Sequence, residues 1–160
     1  MLSGNLNVEQ TKTYLDWKIV EKQAEACANY YKAKHFKPTA IFGVSRGGLI
    51  PATLVAHHLG VQYVDSIQIR TCRTSEQSSK SVIDTAGRDL LVRYNEPEFL
   101  VIDDLYDSGS TTKLIKTIAP NIRVACLFTK TTLKEPECSH IDWVGQKLQT
   151  NRWVVFPWEI

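Results

Sequence analysis

The sequence predicts an α/β domain with a mostly parallel central sheet flanked by helices. Three short apolar runs carry that expectation: Thr39–Val44, Phe99–Ile102 and Ile122–Phe128. Unbroken runs of this kind mark strands buried on both faces, as in parallel sheets. Segments of helical spacing alternate with them, and each run ends in a polar cluster. The chain has 160 residues, which suits one domain around one core. Residues 1–10 read as a loose leader.

Thr13–Lys34 reads as the first helix. Leu15, Ile19, Val20, Ala24, Cys27, Ala28 and Tyr31 recur at near-helical spacing between lysines and glutamates. Thr11 or Thr13 would cap it, and Pro38 stops any continuation. The Thr39–Val44 strand breaks at Ser45-Arg46-Gly47-Gly48. Leu49–Leu59 follows as a helix, with Pro51 in its first turn and Gly60 past its end. Val61–Ile69 is strand-like. Residues 70–90 show weak periodicity and many serine, threonine and charged side chains, so a long loop is expected there, at most with a frayed hairpin. Phe99–Ile102 ends in Asp103-Asp104. Ser110–Ala119 reads as a helix with Leu114, Ile115, Ile118 and Ala119 inward, stopped by Pro120. Ile122–Phe128 ends at Thr129-Lys130, and Ile141–Val144 and Trp153–Phe156 read as short terminal strands.

Composition excludes several classes. Apolar residues make up 43% and charged residues 22%, which rules out wholesale disorder. A net charge of +2 is too small for nucleic-acid binding by bulk electrostatics. No apolar segment is long enough to span a membrane, and the polar start lacks a secretory h-region. Cys27, Cys72, Cys126 and Cys138 show neither zinc-ribbon spacing nor a disulfide framework, so reduced thiols in a cytoplasmic protein are expected. His35, His57, His58 and His140 lack metal-ligand spacing.

In open α/β sheets the ligand sits at the carboxyl ends of the strands. That rule puts Ser45-Arg46-Gly47-Gly48, the stretch Asp103–Thr111 and Thr129-Lys130 on one rim. Gly109 permits a tight turn, a helix N-terminus follows it, and Ser108, Ser110 and Thr111 add hydroxyl donors. This is a phosphate cradle in outline. Asp103 and Asp104 would repel a phosphate unless a divalent cation lay between, and their oxygen chemistry suits Mg²⁺. Two other readings stand beside it. The serines would cap a helix while the aspartates are solvated, or an aspartate would accept a phosphoryl group as in receiver domains. Arg46 has the geometry to fork onto phosphate oxygens, or else is solvated. Residues 70–93 carry five basic against three acidic side chains, Lys80 among the basic ones, and read equally as a solvated loop or a cationic lid.

The stretch Val101-Ile102-Asp103-Asp104-Leu105-Tyr106-Asp107-Ser108-Gly109-Ser110-Thr111 resembles the phosphoribosyl pyrophosphate (PRPP) signature of the type I phosphoribosyltransferases. Val44–Pro51, Phe128-Thr129-Lys130 and Trp153–Glu159 match, in order, the bacterial xanthine-guanine branch of that family, so the likeness covers roughly residues 12–160. It implies the type I phosphoribosyltransferase fold with a small C-terminal hood. It implies transfer from PRPP to a 6-oxopurine (guanine, xanthine or hypoxanthine) in purine salvage, with Mg²⁺, and a homodimer or homotetramer. Asp107 would be the general acid/base near purine N7, within a 5′-phosphate site of Asp107, Ser108, Gly109, Ser110 and Thr111. Asp103 and Asp104 would face the ribose hydroxyls, with Asp104 on the metal. Ser45, Arg46 and Gly47 would hold pyrophosphate, and Lys80 would stand in for the family's mobile-loop arginine. Lys130 would donate to purine O6, Trp153 would stack on the ring, and the Val154 backbone would read its edge. The resemblance also implies a cis Ser45–Arg46 peptide. Thr131 stands where the family has proline.

The alternatives are a transferase for another nucleobase and a regulator that binds PRPP or nucleotide without chemistry. Such regulators tend to lose base-pocket residues, whereas Lys130 and Trp153 are both present.

Overall fold

The computed structural model describes residues 12–73, 79–130, 140–150 and 152–159. The expected leader, Thr131 and Cys138 lie outside them. A short strand β1 (Lys12–Tyr14) precedes helix α1 (Trp17–Ala33). Then follow β2 (Ala40–Ser45), α2 (Leu49–Leu59), β3 (Val64–Arg73), β4 (Ser79–Ile83), α3 (Thr85–Arg93) and β5 (Phe99–Tyr106). The chain continues through α4 (Ser110–Ile118), β6 (Arg123–Lys130), β7 (Trp143–Leu148) and β8 (Trp153–Val155) to a 3-10 turn at Pro157–Glu159. Six strands form one sheet in the order β4-β3-β2-β5-β6-β7, parallel except for β4. β1 and β8 pair separately, in parallel.

Period-two alternation splits the apolar strands between two cores. Ile41, Leu100, Ile102, Ala125 and Leu127 pack under α1 and α2, against Val20, Ala24, Cys27, Val55 and Ala56. Their neighbours Phe42, Val44, Val101 and Val124 pack on the opposite face, against Leu91 of α3 and Ile115 of α4. Both faces are therefore covered, which is why the strands read as unbroken apolar runs.

Helix placement fixes where a ligand can go. A parallel crossover is right-handed, so helices on opposite faces carry the chain in opposite directions across the sheet. α2 carries β2 outward to β3, and α4 carries β5 the other way to β6. β2 and β5 are adjacent, so the strand order reverses between them and a crevice opens at their carboxyl ends. The Ser45–Gly48 turn and the Asp103–Thr111 stretch flank that crevice.

The structure departs from the sequence reading in four places. Residues 13 and 14, expected in the helix, are strand, because with Lys12 they pair with β8, and Asp16 caps α1 by accepting from Ile19 N at 2.8 Å. Strand β3 starts at Val64 rather than Val61 and runs on to Arg73. The expected loop with its frayed hairpin at 70–90 is a paired β3–β4 hairpin followed by an unexpected helix, α3, capped by Asp84 from Gly87 N at 2.8 Å. The Ile141–Val144 strand is shifted to Trp143–Leu148, since Asp142 is spent as a side-chain anchor. Among the described residues, no helix is long and apolar enough to cross a membrane.

That anchor ties the β6 edge. Asp142 Oδ2 accepts from Val124 N at 2.7 Å and from Lys116 Nζ at 3.2 Å, and its backbone N–H donates to Val124 O. Asp142→Ala strands the Val124 N–H and takes the counter-charge from the half-buried Lys116 ammonium, which keeps its bond to Ile122 O at 2.6 Å. We expect it to lower unfolding stability by about 2 kcal/mol, read as a lower urea midpoint at unchanged slope.

Candidate active site

The carboxyl end of β5 is the centre of the site. The strand does not stop at Ile102 but continues through Asp103 and Asp104 to Tyr106, pairing with β6 as far as Tyr106–Thr129. Both aspartates are thereby held half-buried at the sheet edge. Asp103 Oδ1 accepts from Asp104 N at 2.9 Å, and Asp104 Oδ1 accepts from Leu105 N at 2.7 Å. Burial, then the neighbouring Asp104 charge, pushes the Asp103 carboxyl well above the usual carboxylate range. Burial also raises Asp104, against the lowering effect of its hydrogen bonds, and the Glu159 charge adds to the rise.

Across the crevice lies the turn after β2. The Ser45–Arg46 peptide is cis, as the resemblance implies, and Ser45 Oγ donates to Ile67 O at 3.3 Å. Arg46 is exposed. Gly47 lies so close to Asp104 that a β-carbon there would overlap the carboxylate. Only a residue without a side chain lets this turn face Asp104 directly. The structure thus brings together one member of the expected pyrophosphate turn and the expected metal ligand.

The hydroxyl cradle follows. Gly109 has φ +75, a left-handed turn, and a β-carbon on it would stand 2.6 Å from the Tyr106 hydroxyl. Helix α4 starts at Ser110 with no side-chain cap from Gly109, and the Ser110 N–H donates to Ser108 Oγ at 3.4 Å. Ser108 Oγ donates to Ser110 Oγ at 3.1 Å. Ser81 of β4 reaches the same cradle, with its Oγ 2.9 Å from Ser110 Oγ and 3.1 Å from Thr111 Oγ1. Sequence reading missed Ser81, since a serine in a polar stretch carries no signal.

On the other flank, Lys130 ends β6 and is only 7% exposed. Its Nζ donates to Asp107 Oδ2 at 3.2 Å. Two expected base-site residues are therefore in contact. Trp153 is 52% exposed on β8, and Val154 is buried beside it. β8 joins β1, with Lys12 opposite Trp153 and Thr13 opposite Val154. Phe156 seats this hood beside β6, its ring 5.8 Å from Phe128, two residues before Lys130. Trp158 stacks on Phe156 at 4.7 Å, and Glu159 Oε2 accepts from Phe156 N at 2.8 Å. Glu159 is a second residue the sequence reading passed over as a functional group; its charge is felt at Asp104. Lys80 is exposed on β4, opposite Cys72 of β3.

Comparison with known proteins points the same way. Residues 10–160 match the phosphoribosyl transferase domain family. A xanthine-guanine phosphoribosyltransferase of Cereibacter sphaeroides is 32% identical over 121 residues, covering 76% of this chain and 69% of that protein. One of Nitratidesulfovibrio vulgaris is 30% identical over 146 residues, covering 91% of this chain and 76% of that one. The crystal structure of a purine phosphoribosyltransferase from Pyrococcus horikoshii superposes with a TM-score of 0.65 at 28% identity, covering 93% of this chain and 94% of that one.

The crowded carboxylates have a measurable cost. Asp103 has a higher pKa folded than unfolded, so the folded chain holds its proton to higher pH. Stability from this group is full below the ordinary value of about 3.9 and is lost as pH rises through the folded value. Asp103→Asn keeps the Oδ1 acceptor and removes the charge. Without divalent cations it should melt higher than the parent at pH 8, by about 3 °C, and equal it near pH 4. A lower melting temperature at pH 8 would refute the assignment.

Proposed function

The chain belongs to the phosphoribosyl transferase domain family, and on that premise we propose that it joins PRPP and a 6-oxopurine to give the nucleoside monophosphate and pyrophosphate. It is a phosphoribosyltransferase of the purine class, with a role in purine salvage. The contact between Lys130 and Asp107 carries the choice of base. A 6-oxopurine presents N7 and O6 side by side on one edge. A carboxylate and an ammonium 3.2 Å apart match that edge, Asp107 toward N7 and Lys130 toward O6. Lysine has donors and no acceptor, so it favours a 6-oxo group over a 6-amino group.

The remaining roles follow from the rim. Residues Asp107 to Thr111 take the 5′-phosphate on the α4 amides and their hydroxyls. Asp103 and Asp104 face the ribose hydroxyls. Ser45, Arg46 and Gly47 take pyrophosphate, with Lys80 as the cation from the hairpin. Trp153 stacks on the base, and the Val154 backbone reads its edge.

The donor set fits Mg²⁺. Two adjacent half-buried carboxylates disfavour their own ionisation, and Gly47 leaves the Asp104 oxygens uncovered toward the pyrophosphate turn. Asp104 is the residue assigned to the ion. When bound, the ion supplies positive charge to the ribose hydroxyls and the departing pyrophosphate.

In the reaction, purine N9 forms a bond to ribose C1′ while the bond from C1′ to pyrophosphate breaks, and the leaving group keeps the electron pair. Asp107 accepts the proton released from N7. Arg46 stabilises the charge gathering on the pyrophosphate. The hood residues hold the base in line with C1′.

Mixing the chain with PRPP, Mg²⁺ and each base in turn tests this reading. Nucleotide should form with guanine, xanthine or hypoxanthine and not with adenine, and chelation should abolish it. Asp107→Asn should lower kcat about 100-fold or more with PRPP affinity retained, as expected for a lost general acid/base. Equal loss of both would make Asp107 a structural residue only.

A further inference from the structure

The phosphate cradle contains one hydroxyl that neither the motif nor the strand-end rule includes. Ser81 on β4 is 8% exposed, whereas Lys80 before it and Val82 after it are exposed. Strand alternation accounts for this. Residues 80 and 82 share one face, and Ser81 points to the other, where α4 packs against β4. There its Oγ is within bonding distance of both Ser110 Oγ and Thr111 Oγ1. Ser110 Oγ also accepts from Ser108 Oγ. Three hydroxyls of the cradle and one from the hairpin thus form a single chain.

A serine hydroxyl carries one proton. Its Oγ can donate that proton to one of these two hydroxyls while accepting from the other. Whichever cradle hydroxyl accepts is polarised as a donor toward an anion in front of α4, because chained hydroxyls strengthen one another. β4 is the edge strand of the described sheet, paired with β3 on one side only. A contact that fixes its buried face to α4 therefore bears directly on whether this strand is docked.

We propose that Ser81 is a positioning residue for the 5′-phosphate. It sets the Ser110 and Thr111 hydroxyls for the anion and couples occupancy of the cradle to docking of β4, the strand that carries Lys80. This rests on the assignment of residues 107–111 to the 5′-phosphate.

Ribose 5-phosphate is the probe, since it carries the phosphate without pyrophosphate or base. Amide exchange of the whole chain is followed by mass spectrometry with and without it. In the parent chain, exchange should slow in peptides covering 107–113 and in those covering 79–83. In Ser81→Ala it should slow at 107–113 alone. KM for PRPP should then rise about five- to tenfold, the scale of one lost hydrogen bond, with kcat retained. Ser81→Thr keeps the hydroxyl and should restore both readouts. Protection of 107–113 in the parent without protection of 79–83 overturns the coupling, needs no variant, and leaves the phosphate assignment standing. No protection at 107–113 overturns both.

Discussion

Two neighbouring carboxylates sit half-buried at the carboxyl end of β5, and each is harder to ionise than an exposed aspartate. The strand imposes this. β5 keeps its pairing with β6 through Asp103 and on to Tyr106, so the aspartates cannot turn outward into water as loop residues would. Much of the site answers to that crowding. Gly47 has no side chain where one would collide with Asp104. Backbone amides of residues 104 and 105 donate to the two carboxylates and offset part of the cost. What remains is an affinity for positive charge, which the Mg²⁺ of the proposed reaction would satisfy.

Topology decides which groups share that field. α2 and α4 lie on opposite faces, so the turn after β2 and the cradle after β5 flank one crevice. In the proposed reaction the pyrophosphate and 5′-phosphate ends of PRPP would thereby take separate walls, with the carboxylates between them. The hood reaches the crevice from the far end of the chain. Phe156 packs on Phe128, and the Glu159 side chain closes the turn on Phe156 N, so β8 is seated beside the end of β6 that carries Lys130.

Legibility in the sequence tracked burial on both faces. Thr39–Val44 and Phe99–Ile102 read as strands because α-helices cover both sides of them, and Leu49–Leu59 read as a helix to the residue because Gly60 ends it in a left-handed turn. The β3–β4 hairpin was legible only as a frayed hairpin within a loop, because β4 reverses the usual pattern: Ser81 points inward and Val82 is 50% exposed. β1 was absorbed into the first helix because its only partner, β8, lies at the opposite end of the chain. The rim itself was legible from strand ends alone. The pairing of Lys130 with Asp107 was not, since it depends on the register of β6 against β5, which no local pattern encodes.

The same reversal of pattern separates stabilising residues from working ones. A lysine enclosed at 7% exposure on β6 and a serine at 8% on β4 gain little for folding compared with apolar side chains in those places. Each instead meets a partner at the rim: Lys130 the Asp107 carboxylate, and Ser81 the cradle hydroxyls. An ammonium with so little access to water needs its counter-charge. In the free chain Asp107 supplies it, and in the proposed complex a purine O6 would accept a hydrogen bond from the ammonium while Asp107, still close by, turns to N7. Base binding is then an exchange of partners for a charge already enclosed, rather than a fresh burial of it. That exchange keeps the cost of recognition low while still penalising a base that offers no acceptor at position 6.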